Sequence, residues 1–346
     1  MIRDTRTTNI LLLIIVIPLI FYLLKTLSFI FIPLISAMFI SLLFLPLMRW
    51  LKRRKVSKPI SIGIVILLIA GALKLLIELI QLSTKEILST KDDFLEKVEV
   101  KLTYMIESIE AVFGVQRLET DHAINFYLQK LNIFDNFGSA FESITGTITT
   151  SLMIVFFVVL LLSESINLQK ILDTVLFKSN HSSVKTFVKI ERDIIKFVGV
   201  KFIISLLTGV GFTLACIAFD VSFPIFWGLF AFVINFVQMV GSVISVVLLT
   251  LFAIVEIDTT GTLLFFILVI SGVQVLMGGI LEPVFMGKTF SINVITVLIM
   301  LMFWGYIWGI PGLIMSIPIT VFIKIILSQF PKTRVISNLM DGSPAK

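Results

Sequence analysis

Residues 221–252 read VSFPIFWGLFAFVINFVQMVGSVISVVLLTLF. An apolar run leads to Asn235 and Gln238, then to Gly241 and Ser242, and a second apolar run follows. Each run falls short of the ~20 residues that carry a helix across a bilayer. Two half-length pieces joined by glycine and amides predict a helical hairpin that dips into a membrane and turns back. Irregular backbone at that depth is tolerated only where protein or a water-filled cavity surrounds it. The same plan recurs in residues 290–322, FSINVITVLIMLMFWGYIWGIPGLIMSIPITVF. This run is broken at Gly305, Gly309, Pro311 and Gly312, with Pro318 beyond the break.

Each hairpin follows a plain apolar stretch. Residues 197–219 precede the hairpin 223–255, and residues 262–280 precede the hairpin 292–327. One span plus one hairpin is thus repeated, and counting crossings gives the two units opposite orientations. GSVISVVL from Gly241 faintly echoes GLIMSIPI from Gly312. Inverted repeats with interrupted helices are the plan of secondary transporters, whose solute sits near the midplane against exposed half-helix ends. The predicted fold is therefore an all-α integral membrane protein, with a transport core over residues 197–330.

Composition agrees. The 346-residue chain is 58% hydrophobic and 14% charged, with a mean hydropathy of +1.08. A soluble domain of that make-up would expose apolar area it cannot hide. The lone cysteine, Cys216, makes no intrachain disulfide. His122 and His181 lie far apart, outside any metal-ligand spacing. No glycine-rich phosphate loop and no nucleophile with an adjacent base is present, so an enzyme and a cofactor are not expected. The net charge of +6 is distributed by topology and does not form a nucleic-acid surface.

Three spans fill residues 1–80, the first retained rather than cleaved as a signal peptide. Loop 49–58 holds Arg49, Lys52, Arg53, Arg54, Lys55 and Lys58 without an acid, and short loops of this kind stay cytoplasmic. Both termini then lie in the cytoplasm, and residues 81–143 lie outside. That segment carries eleven acids against six bases. Leu95, Val98, Leu102, Met105, Ile109 and Val112 mark one helix of a small external insert, and Ile124, Leu128, Leu131 and Phe134 begin a second. Residues 144–196 comprise a fourth span and an amphipathic segment along the cytoplasmic surface. Residues 331–346 form a cytoplasmic tail.

The motifs resemble those of the autoinducer-2 exporter (AI-2E, PerM-like) transporters. FPIFWGLFAFVINFVQMVGSVIS is similar to that family's proline–asparagine–glycine stretch. LEPVFMGKTFSIN and MFWGYIWGIPGLIMSIPIT are similar to its Glu-Pro segment and its Trp-Gly tail. Gln238-Met239 replaces the family's proline–aromatic pair, which leaves this hairpin tip more polar. The resemblance extends over nearly the whole chain and implies a permease of the cytoplasmic (inner) membrane. Family members export autoinducer-2 or exchange sodium or lithium for protons.

Several charged and polar residues are candidates for the transport path. Glu282 falls at the cytoplasmic end of the 262–280 span, where Pro283 is expected to end the helix and Gly287 to permit a turn. The carboxylate either caps the following hairpin or pairs with Lys288, or it exchanges a proton. Asn235 and Gln238 either tie the first hairpin to a neighbour or bind a polyhydroxylated solute or hydrated cation. Lys74 and Glu78 are expected to pair or snorkel, and Lys25 and Lys324 to snorkel. Trp304 and Trp308 fit either an interfacial belt or a hairpin turn. Three functions stay open: a carrier for a small polar solute, coupled to H+ or Na+; a cation/proton antiporter; and a membrane scaffold. Beyond the lipid bilayer and the solute, a homo-oligomer is compatible with the insert and the basic segment.

Overall fold

The computed structural model describes residues 2–113, 150–163, 181–237, 240–286, 292–329 and 333–341. Every regular element among them is helical, and five of these helices are long and apolar enough to cross a membrane. The first layer is built from α1 (Ile2–Thr26), α2 (Ser28–Arg53), α3 (Lys58–Phe113) and α4 (Thr150–Ser163). Buried positions of α2, namely Pro33, Ala37, Ser41, Leu45 and Met48, recur every three or four residues and so form one helix stripe. The stripe packs on Val65 and Ile69 of α3 and on Val158 and Leu162 of α4. Apolar side chains on the other faces, Leu67 and Leu152 among them, are exposed, as befits a lipid-facing surface.

The third span does not stop at residue 80. α3 continues for 56 residues, about 84 Å at the α-helical rise, because neither glycine nor proline interrupts residues 72–113. The first helix of the expected insert is this same helix, and the second falls outside the described residues. α5 (His181–Ala218) likewise runs unbroken where a surface segment and a separate span were expected. Its buried positions Ile194, Phe197, Lys201, Ser205, Thr208, Phe212 and Ala215 recur at steps of three or four.

The first hairpin consists of α6 (Pro224–Ile234) and α7 (Val240–Glu256). A Cβ on Gly241 would lie 1.9 Å from the Ile234 carbonyl oxygen. In a straight helix those residues stand about 10 Å apart along the axis, so the chain folds back here and only glycine fits. α6 lies against α5 through Gly228 and Gly209, each of which packs on the other's carbonyl. Small residues allow such close approach of membrane helices.

α8 (Thr260–Gln274) passes through a π-helical turn, Val275–Leu281, into α9 (Glu282–Met286). Pro283 therefore does not end the helix. An α-helical proline would clash with the carbonyl of Gly279 four residues back, and the wider π turn relieves that contact, with the Glu282 N–H bonding to the Met277 carbonyl. Gly287 and Lys288 lie outside the described residues.

The second hairpin lies within α10 (Val294–Gln329), which bends at Gly309. Gly309 has φ 63° and ψ −139°, a conformation that favours glycine. A Cβ on Gly312 would meet the Trp304 carbonyl oxygen at 2.0 Å, and one on Gly305 would meet the Leu313 side chain at 2.7 Å. The turn is thus at Gly309, and Gly305 and Gly312 are the residues that let the two legs touch. Pro318 is buried in the second leg. Trp304 and Trp308 are buried beside the turn, and the Trp308 indole donates to the Leu24 carbonyl at 2.9 Å. Lys25 places its ammonium over the Tyr306 ring at 4.0 Å. Lys324 does not snorkel: it is 4% exposed and pairs with Asp341 at 3.0 Å, because α11 (Arg334–Leu339) folds back on α10.

Two ends of the bundle can be told apart by their contacts. At the basic-loop end, Arg49 of α2 pairs with Glu191 of α5 at 2.5 Å, and Lys58 of α3 donates to the Ser163 carbonyl of α4. At the opposite end, which we call the arm end, α3 meets the base of the first hairpin. Lys97 binds Glu256, and Glu86 accepts from the Phe223 amide.

Candidate transport site

Lys201, Ser205 and Thr208 stand on one face of α5, inside an otherwise apolar stretch. The π turn and α9 bring Glu282 to the same place. The Lys201 ammonium donates to both carboxylate oxygens, at 2.9 and 3.1 Å. Lys201 is 2% exposed and Glu282 4%. One turn along α5, Ser205 accepts from the Asn235 amide at 3.2 Å. Asn235 ends α6 at the hairpin tip, and its oxygen accepts from Gln274 at 3.3 Å. Gln274 is the last residue before the π turn. Its side-chain oxygen is buried without a hydrogen-bond partner. Three elements thus converge on one buried polar cluster: the span α5, the tip of the first hairpin, and the α8–α9 helix at its π turn.

The cluster lies between two apolar cores. Towards the arm end are Phe212, Trp227, Leu249 and Phe266. The other core joins Phe197, Val237 and Met286 to the second hairpin through Leu301 and Ile317. In this setting an ion pair is worth keeping intact. Burial strips both charges of water, and their mutual contact compensates only while both are present. The site is neutral as a whole, offers amide and hydroxyl groups in sequence, and leaves one acceptor open on Gln274. Among the described residues no three His, Cys, Asp or Glu side chains gather as a metal site.

Of the residues singled out from the sequence, the structure brings Asn235 and Glu282 into this cluster. Gly241 lies beside Asn235 at the first turn. Gln238 is outside the described residues. Pro283 follows Glu282 in α9, while Gly305, Gly309, Gly312 and Pro318 belong to the second hairpin. Both oxygens of Glu282 are engaged by Lys201 in place of a helix cap. Lys201, Ser205 and Gln274 were not singled out. The signal was available: a lysine, a serine and a threonine at steps of four and three inside an apolar helix mark a polar stripe, and intramembrane lysines are rare and functional.

The sequence profile described as AI-2E family transporter matches residues 10–332. The chain belongs to the AI-2E transporter family. Among its relatives, a Haemophilus influenzae protein named "Putative transport protein" is 24% identical over 315 residues, 87% of each chain. A Borreliella burgdorferi protein of the same name is 30% identical over 207 residues, 59% of this chain and 57% of that one. The AI-2 transport protein TqsA of Escherichia coli is 24% identical over 309 residues, 87% of this chain and 86% of TqsA. This AI-2E family member is a multi-pass membrane protein, and its relatives carry the names of transport proteins.

Proposed function

We propose that this AI-2E family member is a permease of the cytoplasmic membrane that carries a small polar solute past the Lys201–Glu282–Asn235–Gln274 cluster. The observation behind this reading is the cluster itself. Buried polar groups are costly unless satisfied, and here they gather where a broken hairpin meets an interrupted span, the place where carriers hold their solute. The two span-plus-hairpin units, α5 with α6–α7 and α8–α9 with α10, are read as the moving repeats. A small polar solute with hydroxyl groups suits the amides and the open acceptor, and AI-2, named in TqsA, is the first solute to test. Flux into proteoliposomes, with autoinducer-2, small organic anions and sodium offered under imposed pH gradients, tests the reading. Absence of flux for all of them would count against it.

The basic loop is placed in the cytoplasm, which puts both termini inside and the arm outside. An impermeant thiol reagent added to intact cells should then label a cysteine at Tyr104, an exposed position on α3. Labelling only from the cytoplasmic face would reverse the orientation.

A second reading, cation/proton antiport, is favoured by the buried Lys201–Glu282 pair. A carboxylate held by a lysine changes partner when a proton or a cation arrives. If so, Glu282→Gln should leave a folded protein whose flux no longer responds to pH. Superimposable pH profiles for wild type and Glu282→Gln, at matched amounts of folded protein, would end the coupling role and leave Glu282 a structural partner of Lys201.

A further inference from the structure

We propose that the distal part of α3 is a strap that closes the arm end of the transport site, with the Lys97–Glu256 contact as its catch. The proposal rests on reading the polar cluster as the transport site. Glu256 ends the second leg of the first hairpin, and its side chain is 3% exposed. One carboxylate oxygen accepts from Lys97 at 3.3 Å. The other accepts from the Ser222 hydroxyl at 2.8 Å and the Ser222 amide at 3.4 Å, just before the first leg. A single carboxylate therefore joins the strap to both legs at the hairpin base. Eleven residues nearer the middle of α3, Glu86 accepts from the Phe223 amide at 3.1 Å. Between these contacts the Phe94 ring stacks on Phe252, with centroids 4.7 Å apart.

The link under the strap is strained. Asp220 and Phe223 have φ of 54° and 63°, left-handed values that non-glycine residues adopt at a cost. Glu86 and Glu256 accept hydrogen bonds from the amides beside that strain and so hold it in place. The catch is also unequal. Lys97 is half exposed and can withdraw into water, whereas Glu256 stays bonded to Ser222. Releasing Lys97 would loosen the strap on the hairpin base, which then stays tied through Glu86–Phe223 and the Lys101–Asp258 pair, without stripping Glu256 of every partner. α6 is a rigid lever of 11 residues, about 16 Å long, that carries the motion to Asn235 at its far end. The apolar seal of Phe212, Trp227, Leu249 and Phe266 lies along that lever.

The test reads access rather than flux. In a chain carrying Cys216→Ala and Ser205→Cys, an impermeant thiol reagent is applied to right-side-out and to inverted membrane vesicles. A separate Tyr104→Cys chain identifies the arm side. Lys97→Met should raise labelling at position 205 several-fold from the arm side and leave the other side unchanged, while Lys97→Arg, which keeps the contact, should label as the parent does. Unchanged labelling in Lys97→Met, or an equal rise from both sides, overturns the strap. A second measurement uses Lys97→Cys with Glu256→Cys, bridged by a short bis(methanethiosulfonate) reagent that forms a disulfide with each thiol as methanesulfinate leaves, and cleaved by a reducing thiol. Flux should stop on bridging and return on cleavage, and flux that continues through the bridged protein overturns the proposal. A wild type without any flux would sink the transport reading and leave the labelling result to decide the strap.

Discussion

Lys201→Met alone should strip the purified protein of much of its stability. It leaves the Glu282 carboxylate buried without the ammonium that engages both its oxygens, and breaking a buried pair from one side costs about 3–5 kcal/mol. That is a large share of the net stability of a folded chain. Glu282→Leu alone should be about as harmful, since it strands the Lys201 ammonium. The double variant, Lys201→Met with Glu282→Leu, should recover most of the loss, because two apolar side chains of similar volume replace the pair without a stranded charge. Thermal unfolding in detergent measures all three. Additive losses in the double variant would show that the two residues do not act as a pair. Flux should be absent in the double variant even though it folds, which separates the role of the pair in transport from its role in packing.

The second large effect concerns the turns. Gly309→Val should prevent the second hairpin from forming, because a β-branched residue at φ 63° and ψ −139° is heavily strained. Gly312→Val and Gly241→Val should do the same by a different route. Their side chains would meet backbone carbonyls at 2.0 and 1.9 Å, and backbone cannot swing aside. Gly71→Ala is the matched control, since nothing lies within 4 Å of the added methyl. A gain of helix stability there is worth about 0.5–1 kcal/mol. Yield of monodisperse protein after detergent extraction should fall sharply for the three turn variants and hold for the control. Normal yield of Gly309→Val would mean that the second hairpin turns elsewhere.

Much of this architecture was legible in the sequence for physical reasons. Glycine and amides in the middle of an apolar run have few explanations, so both broken segments stood out. The second turn, expected at Gly312, sits three residues earlier at Gly309. Gly305, Gly309 and Gly312 are alike on paper, and only the backbone angle at Gly309 and the packing distances at the other two assign their roles. A change to polar composition does not mark a helix end in this chain. α3 runs on past residue 80 because charged residues without glycine or proline are good helix formers. The π turn was hidden too, since Pro283 suggested a stop and the chain widens instead.

The site was half legible. Asn235 and Glu282 stand out as polar groups against apolar neighbours, but the ion pair of Glu282 with Lys201 is not readable from local sequence. Lys201 is 81 residues away in sequence, and no local pattern joins them. Lys201 is visible in the sequence as a charge in an otherwise apolar helix. Lys324 shows the converse. Its burial depends on the returning tail and Asp341, a tertiary contact that hydropathy does not encode.

A solute that passes the buried cluster at the tip of the first hairpin must meet the Asn235 amide. Asn235→Leu tests this passage directly, because it keeps the branching and heavy-atom count of the side chain and removes both amide contacts, to Ser205 and to Gln274. In proteoliposomes holding matched amounts of folded protein, flux should fall at least about tenfold below wild type, the equivalent of ~1.4 kcal/mol at the barrier. Wild-type flux from a folded Asn235→Leu protein would contradict it.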